Sequence, residues 1–169
     1  MRKKILSLAL TLPLCAAMTV PASADWRDDY SYYENRDGKI IINGYAGSDV
    51  DLVLPDWAEG ISGKFRYGIE DPSKIKSIVI PYGVTQIEYD CFSHWDGLEQ
   101  VTIPDSVTEI GETAFLSCDS LPSITIPGSV TEIKTGAFLA CNSLTSVTIE
   151  DGVVTIGVSA FDSCTALTS

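Results

Sequence analysis

The chain has 169 residues, of which 45% are hydrophobic and 20% charged, and its formal net charge at pH 7 is −12. This acidic balance argues against nucleic acid and anionic lipid as partners, because both require basic side chains to neutralise phosphate. The length allows one domain with a modest hydrophobic core.

The N-terminus has the pattern of a secretory signal peptide. Three basic residues, Arg2, Lys3 and Lys4, precede an apolar run over residues 5–20, and small residues at 22–24 close it. This pattern predicts a signal peptide over residues 1–24, cleaved before Asp25. The apolar run is short for a membrane span, and no second one follows. We therefore expect a secreted or cell-surface protein with no membrane span in the mature chain.

Residues 25–37 combine aromatic and charged side chains without a regular period, which predicts a flexible segment. Sugars stack on aromatic faces, so the aromatic residues give a carbohydrate-binding module as an alternative function. These residues are Trp26, Tyr30, Tyr32 and Tyr33.

Residues 38–74 are predicted to form a degenerate capping unit. A turn at Asp37 and Gly38 leads into a strand over residues 39–43, and residues 44–55 alternate apolar and polar before ending in Pro55. A unit of this kind would shield the first sheet edge of a repeat array, because an uncovered edge invites aggregation.

From Ile75 onward one pattern recurs every 23 residues. A fixed period in this range, with leucine-like anchors, predicts a β-rich solenoid whose coils bury their apolar side by stacking. Residues 75–169 hold four full coils and the start of a fifth, so we expect the sequence to be part of a larger protein. The copies begin at Ile75, Leu98, Leu121 and Leu144, and the fifth opens at Leu167.

Each copy predicts a strand, a stop and a second short extended piece. Val101 and Ile103 alternate with Thr102, as in a half-buried strand, and Pro104 then ends the ladder. Val107 and Ile110 return to the interior after the turn. Phenylalanines keep the same register in all four copies, which predicts a stacked column at the strand spacing of about 4.8 Å. They are Phe92, Phe115, Phe138 and Phe161.

Cysteine and histidine usage predicts no catalytic or metal chemistry. Cys118, Cys141 and Cys164 recur every 23 residues, which favours a buried column of reduced thiols. The sequence does not indicate a zinc site, because it has no C-x-x-C pair and no histidine partner for these cysteines. We also expect no cofactor. His94 is the only histidine, and no G-x-S-x-G motif accompanies it. The sequence thus favours a non-enzymatic protein.

The outward side chains of the predicted strands are the candidate protein-binding face. Short hydroxyl side chains suit a flat contact surface, although ordinary β-propensity explains them equally well. The first column is Ser77, Gln100, Ser123 and Ser146; the second is Val79, Thr102, Thr125 and Thr148.

Two motifs carry a family resemblance: Ile-Pro-x-Ser-Val-Thr-x-Ile and Ala-Phe-x-x-Cys-x-x-Leu. In residues 101–121, 124–144 and 147–167 the chain resembles the BspA-like (Treponema pallidum type) leucine-rich repeats of bacterial surface and secreted proteins. The copy over 75–97 departs, with Cys91 in place of alanine and Trp95 in place of cysteine.

The resemblance implies a right-handed leucine-rich solenoid that mediates protein–protein interaction or adhesion. The expected partner is an extracellular or surface protein, with a glycan as the alternative. A third hypothesis is that the coils act as a non-catalytic spacer for a domain outside this sequence.

Overall fold

The computed structural model describes residues 29–63 and 65–168. The predicted signal peptide and Trp26 lie outside the described residues. The chain winds into a β-solenoid of about five turns spaced by about 23 residues, which confirms the predicted architecture. The first coil spans residues 51–74, and the later coils span 75–97, 98–120, 121–143 and 144–166.

Two sides of the solenoid are sheets of parallel strands. The longer strand of each coil lies on one side, which we call the strand face, and the shorter strand lies on the back sheet. Strand-face strands are β3 (Asp51–Val53), β5 (Ser77–Val79), β7 (Gln100–Thr102), β9 (Ser123–Ile126) and β11 (Ser146–Ile149). Back-sheet strands are β4 (Gly60–Ile61), β6 (Gln86–Ile87), β8 (Glu109–Ile110), β10 (Glu132–Ile133) and β12 (Thr155–Ile156).

The sequence repeat sets the register of both sheets. Ser123 pairs with Ser146 on the strand face, and Ile110 pairs with Ile133 on the back sheet. The turn between the two sheets follows a proline: the Val107 N–H donates to the Pro104 carbonyl at 3.0 Å, and Val130 does the same with Pro127. Proline ends the strand in the first four coils because it supplies no ladder donor, and Glu150 takes its place after β11.

The third side consists of loops, and in the second to fifth coils each loop has a left-handed residue at two places. The backbone of these loops bonds to the next coil: the Phe115 N–H donates to the Ala137 carbonyl at 2.7 Å, and Phe138 to Ala160 at 2.8 Å. Only one of the left-handed positions is glycine. The two columns are Asp90, Thr113, Gly136 and Ser159, and His94, Ser117, Ala140 and Ser163.

The predicted phenylalanine column is confirmed. Ring centroids of successive members lie 5.1–5.2 Å apart from Phe92 to Phe161. The first coil adds a fifth ring, Phe65, which meets Phe92 edge-on and packs against Trp95 with 5.8 Å between centroids. Phe65 and Trp95 thus close the N-terminal end of the column, and Trp95 is fully buried.

The prediction of a flexible segment over residues 25–37 is wrong for its described part. Residues Tyr30–Glu34 form β1, which pairs antiparallel with β2 (Ile40–Tyr45), and β2 in turn pairs with β4 at the start of the back sheet. Tyr30 is buried against Tyr45, with 4.8 Å between ring centroids. The hairpin therefore covers the first back-sheet edge, and burial of Tyr30 orders it.

The strand face is interrupted between β7 and β9, which belong to separate sheets. Glu99 donates its N–H to the Lys76 carbonyl at 2.7 Å, and Thr145 donates to the Pro122 carbonyl at 2.9 Å. Pro122 occupies the equivalent position in the fourth coil but has no N–H, so this link to the third coil is lost.

Candidate functional site

The predicted binding face is exposed over its C-terminal three strands. Gln100, Ser123 and Ser146 of the first outward column are exposed, as are Thr102, Thr125 and Thr148 of the second. Of the inward residues between them, Ile124 is buried, and Val101 and Val147 are half-buried against the core. The period-two alternation of each strand sends the hydroxyl side chains to solvent on one flat side.

The same face is partly closed at its N-terminal end. Ser77 is only 6% exposed, and its hydroxyl donates to Asp51 Oδ1 at 2.7 Å. Val79 is half-buried. Ser77 and Val79 therefore keep their places in the two columns but are less accessible than the later members, because the first coil supplies a carboxylate that engages Ser77. Asp51 and Val53 continue the two columns, as the pairing of β3 with β5 shows, and sequence reasoning did not assign them.

Basic residues are scarce on and around the strand face. Lys76 and Glu99 form an exposed ion pair at 2.7 Å just before β5 and β7. From Leu98 to the end, Lys134 is the only Lys or Arg in the sequence. It pairs with Glu109 at 2.6 Å, which raises the pKa of the lysine. The C-terminal coils thus present an uncharged hydroxyl surface within an acidic molecule.

The recurring cysteines are buried free thiols with a structural partner. The Sγ atoms of Cys141 and Cys164 donate to the carbonyls of Phe115 and Phe138, each at 3.1 Å, and Cys118 bonds to Phe92 at 3.3 Å. Burial raises the pKa of the Cys118 thiol, so the neutral donor form is favoured. The thiols therefore satisfy loop carbonyls of the preceding coil.

The single histidine and the polar side chains that close the coils lie in loops. His94 is exposed in a left-handed loop conformation. Over residues 29–63 and 65–168 no group of three or more His, Cys, Asp or Glu side chains is placed to hold a metal ion. Asn142 Nδ2 instead donates to Asp119 Oδ1 of the preceding coil at 2.9 Å, a structural contact between coils.

The aromatic residues proposed for carbohydrate binding have different environments. Tyr30 is buried, and Tyr32 lies edge-on to Trp57 with 5.2 Å between centroids. Tyr32 and Tyr33 keep about half of their surface exposed, at 49% and 43%. Tyr30 is thus part of the cap and cannot offer its ring to a sugar.

The stacked coils and their motif define a leucine-rich repeat protein. Residues 69–169 match the BspA type leucine rich repeat region, with six copies of the repeat. The chain therefore belongs to the BspA-type leucine-rich repeat family. Leucine-rich repeat proteins are generally non-enzymatic protein-interaction scaffolds. No curated protein sequence matches the chain.

Solved structures with the same architecture come from several bacteria. The leucine rich repeat protein of T. pallidum is 28% identical, with a TM-score of 0.74 over 83% of this chain and 67% of that one. A leucine rich cell surface protein from Faecalibacterium prausnitzii is 25% identical, with a TM-score of 0.55 over 83% of this chain and 52% of that one. A leucine-rich repeat protein from Bacteroides ovatus is 26% identical, with a TM-score of 0.57 over 83% and 45%.

The chain thus spans about half the length of the Faecalibacterium and Bacteroides proteins. Within the described part of the chain, no helix has the length and apolar character needed to cross a bilayer.

Proposed function

We propose that this chain is a secreted or cell-surface module that binds another extracellular protein through the exposed part of its strand face. The observation that carries the proposal is the double column of exposed, uncharged polar side chains on β7, β9 and β11, all of them hydroxyls except Gln100. The inward residues of the same strands form the core, so the outward ones are free to contact a partner.

The structure of the face favours a protein partner over a small molecule. Parallel strands in fixed register hold the side chains on a flat surface, and flat surfaces of this kind suit the large contact areas of protein–protein interfaces. Ser123 and Thr125 lose little rotamer freedom on binding because serine and threonine are short. The column residues of β7, β9 and β11 carry no charge, so their desolvation on binding costs less than it would for lysine or glutamate.

The proposed location rests on the N-terminal sequence and on the family. Residues 1–24 have the order of charge, apolar run and small residues that signal peptidases process. Expression of the full chain in a bacterial host should yield a mature protein beginning at Asp25 outside the cytoplasm. N-terminal sequencing that finds Met1 on cytoplasmic protein would contradict secretion.

The binding proposal is tested by placing a bulky charge on each sheet in turn. Mature protein would be assayed by surface plasmon resonance against immobilised fibronectin, laminin, collagen and bacterial surface extract. Thr125→Arg, on the strand face, should abolish the signal. Thr155→Arg puts the same charge on the exposed back sheet and should leave the signal unchanged. No signal with correctly folded wild-type protein, or equal loss in both variants, would refute the proposal.

A further inference from the structure

Four side chains link the first and second coils on the third side of the solenoid; we call them the Arg66 cluster (Arg66, Tyr67, Asp90 and Ser93). Arg66 Nη1 donates to Ser93 Oγ at 2.7 Å and lies 3.8 Å from Asp90 Oδ2. The Tyr67 hydroxyl donates to the same Asp90 oxygen at 3.1 Å. The guanidinium carbon of Arg66 also lies 5.2 Å from the centroid of the Tyr67 ring.

The backbone of the second coil holds this cluster rigidly. Asp90 and His94 both have left-handed φ angles, of 59° and 56°, and both donate their N–H to the third coil. Ser93 is fully buried, and Asp90 is only 8% exposed. A charged pair fixed by three polar contacts and backed by buried groups keeps its geometry when the surroundings move.

Two tyrosine rings remain on the surface beside the fixed polar groups. Tyr67 is 70% exposed and Tyr89 is 62% exposed. Tyr89 directly precedes Asp90, so its Cα lies about 3.8 Å from the Cα of the residue whose carboxylate the Tyr67 hydroxyl contacts. Exposed aromatic rings next to oriented hydrogen-bonding groups suit ligands that have both an apolar face and hydroxyl groups. The ring stacks on the apolar face, and the polar groups form hydrogen bonds with the hydroxyls.

We propose that the Arg66 cluster and Tyr89 form a binding site for a neutral pyranose sugar. One ring would stack on the apolar face of the sugar, and the second Asp90 oxygen, Oδ1, together with the tyrosine hydroxyls, would bond to sugar hydroxyl groups. This site lies apart from residues 25–37, where the sequence suggested carbohydrate binding, and is independent of the strand face.

The chemistry of the site favours a neutral sugar over a peptide or an acidic glycan. The groups behind the rings, Asp90 and Ser93, are polar, so no apolar socket receives the buried anchor side chain that peptide recognition needs. An anionic sugar would meet Asp90 and the nearby acids Glu88 and Glu112. The charge of Arg66 is already balanced by Asp90. Like-charge approach disfavours such a ligand.

The test uses mature protein with cellotetraose, laminaritetraose and maltotetraose as neutral probes, and a heparin-derived tetrasaccharide as the acidic one. Binding is followed by isothermal titration and by saturation-transfer NMR at millimolar sugar. At least one neutral probe should bind. Tyr67→Ala and Tyr89→Ala should each weaken binding about tenfold or more, which corresponds to the loss of one stacking contact.

Tyr82→Ala is the matched control, because Tyr82 is a similarly exposed tyrosine (75%) of the second coil that lies in the turn between the two sheets. It should leave sugar binding unchanged. Tyr67→Phe keeps the ring but removes the hydroxyl bond to Asp90, and should weaken binding less than Tyr67→Ala. Failure of all three neutral probes, binding of the heparin probe alone, or equal loss in Tyr82→Ala would overturn the proposal. The proposed protein-binding function would be unaffected by any of these results.

Discussion

The rings of Phe115 and Phe138 lie parallel, at an interplanar angle of 2° with 5.1 Å between centroids. Both are fully buried. The next pair, Phe138 and Phe161, repeats this geometry at 5.2 Å. A side chain at this position is therefore held mainly by its equivalents in the two adjacent coils, and the energy of the fold depends on the contact between neighbours.

Replacing Phe138 should be strongly destabilising because its ring contacts a stacked ring on each side. We expect Phe138→Ala to lower the free energy of unfolding by about 3 to 5 kcal/mol, measured by chemical denaturation. Phe161→Ala should cost less, since Phe161 is half-buried and has a described neighbour on one side only. Equal costs at the two positions would contradict a core built from stacking.

The left-handed loop positions predict a stabilising substitution. Thr113 has a φ of 53°, and its equivalent in the next coil is Gly136 at 62°. A β-branched residue is strained there by roughly 1 to 3 kcal/mol, while glycine costs about 1 kcal/mol in the unfolded chain. Thr113→Gly should therefore stabilise the protein by about 1 kcal/mol in thermal or chemical unfolding.

Thr135→Gly is the control for this substitution, because exposed Thr135 has no left-handed φ angle. It should destabilise the protein by about 1 kcal/mol. If both glycine variants were destabilised alike, strain at Thr113 would be ruled out.

Pro122 should control hydrogen exchange at the interruption of the strand face. Pro122→Thr supplies the N–H that Thr145 provides in the fifth coil. The new hydrogen bond to the Glu99 carbonyl should stabilise the folded state by about 1 kcal/mol. Threonine also gives the unfolded chain more conformational freedom than proline does, which nearly offsets this gain. We expect little change in stability but slower exchange of the Ser123 and Thr125 amides, measured by NMR. Unchanged exchange at both amides would mean that proline is not the cause of the gap.

Tyr45 should make stability fall at high pH. Burial, together with its hydroxyl bond to Asp49 Oδ2 at 2.6 Å, raises the pKa of Tyr45 to about 12, from about 10 in an unfolded chain. Because the folded state favours the neutral phenol, this contribution is present below pH 10 and is lost as the pH rises from about 10 to 12. Tyr45→Phe should flatten the dependence of unfolding free energy on pH in that window. An identical slope in wild type and variant would disprove the linkage.

The parts of the fold that repeat were predictable from sequence. The phenylalanine register, the proline stops and the buried cysteines each depend on a residue type recurring at one spacing, and stacking places such residues in contact. The partners of the cysteine thiols were not predictable, because the carbonyl that accepts from Cys141 belongs to Phe115, 26 positions earlier. Only the stacked backbone brings those two groups together.

The first coil was harder to predict because it breaks the period. Phe65 precedes Phe92 by 27 residues, so the 23-residue frame does not reach it. The burial of Ser77 depends on Asp51 of that coil, and the Arg66 cluster depends on the alignment of residues 66–67 with 90–93. For β1, irregular charges and aromatics suggested flexibility, whereas the contact of Tyr30 with Tyr45 decides the structure.

In the binding proposal, the outward side chains of the strand face bind a partner, whereas the inward ones stabilise the fold. The most direct test measures both the stability and the binding affinity of one variant. Thr125→Ala removes an exposed outward side chain between two buried isoleucines, Ile124 and Ile126. Its unfolding free energy should stay within about 0.5 kcal/mol of the wild type, while its affinity for the immobilised protein that binds the wild type in the surface plasmon resonance assay falls severalfold. Unchanged affinity at unchanged stability would contradict a binding role for this face.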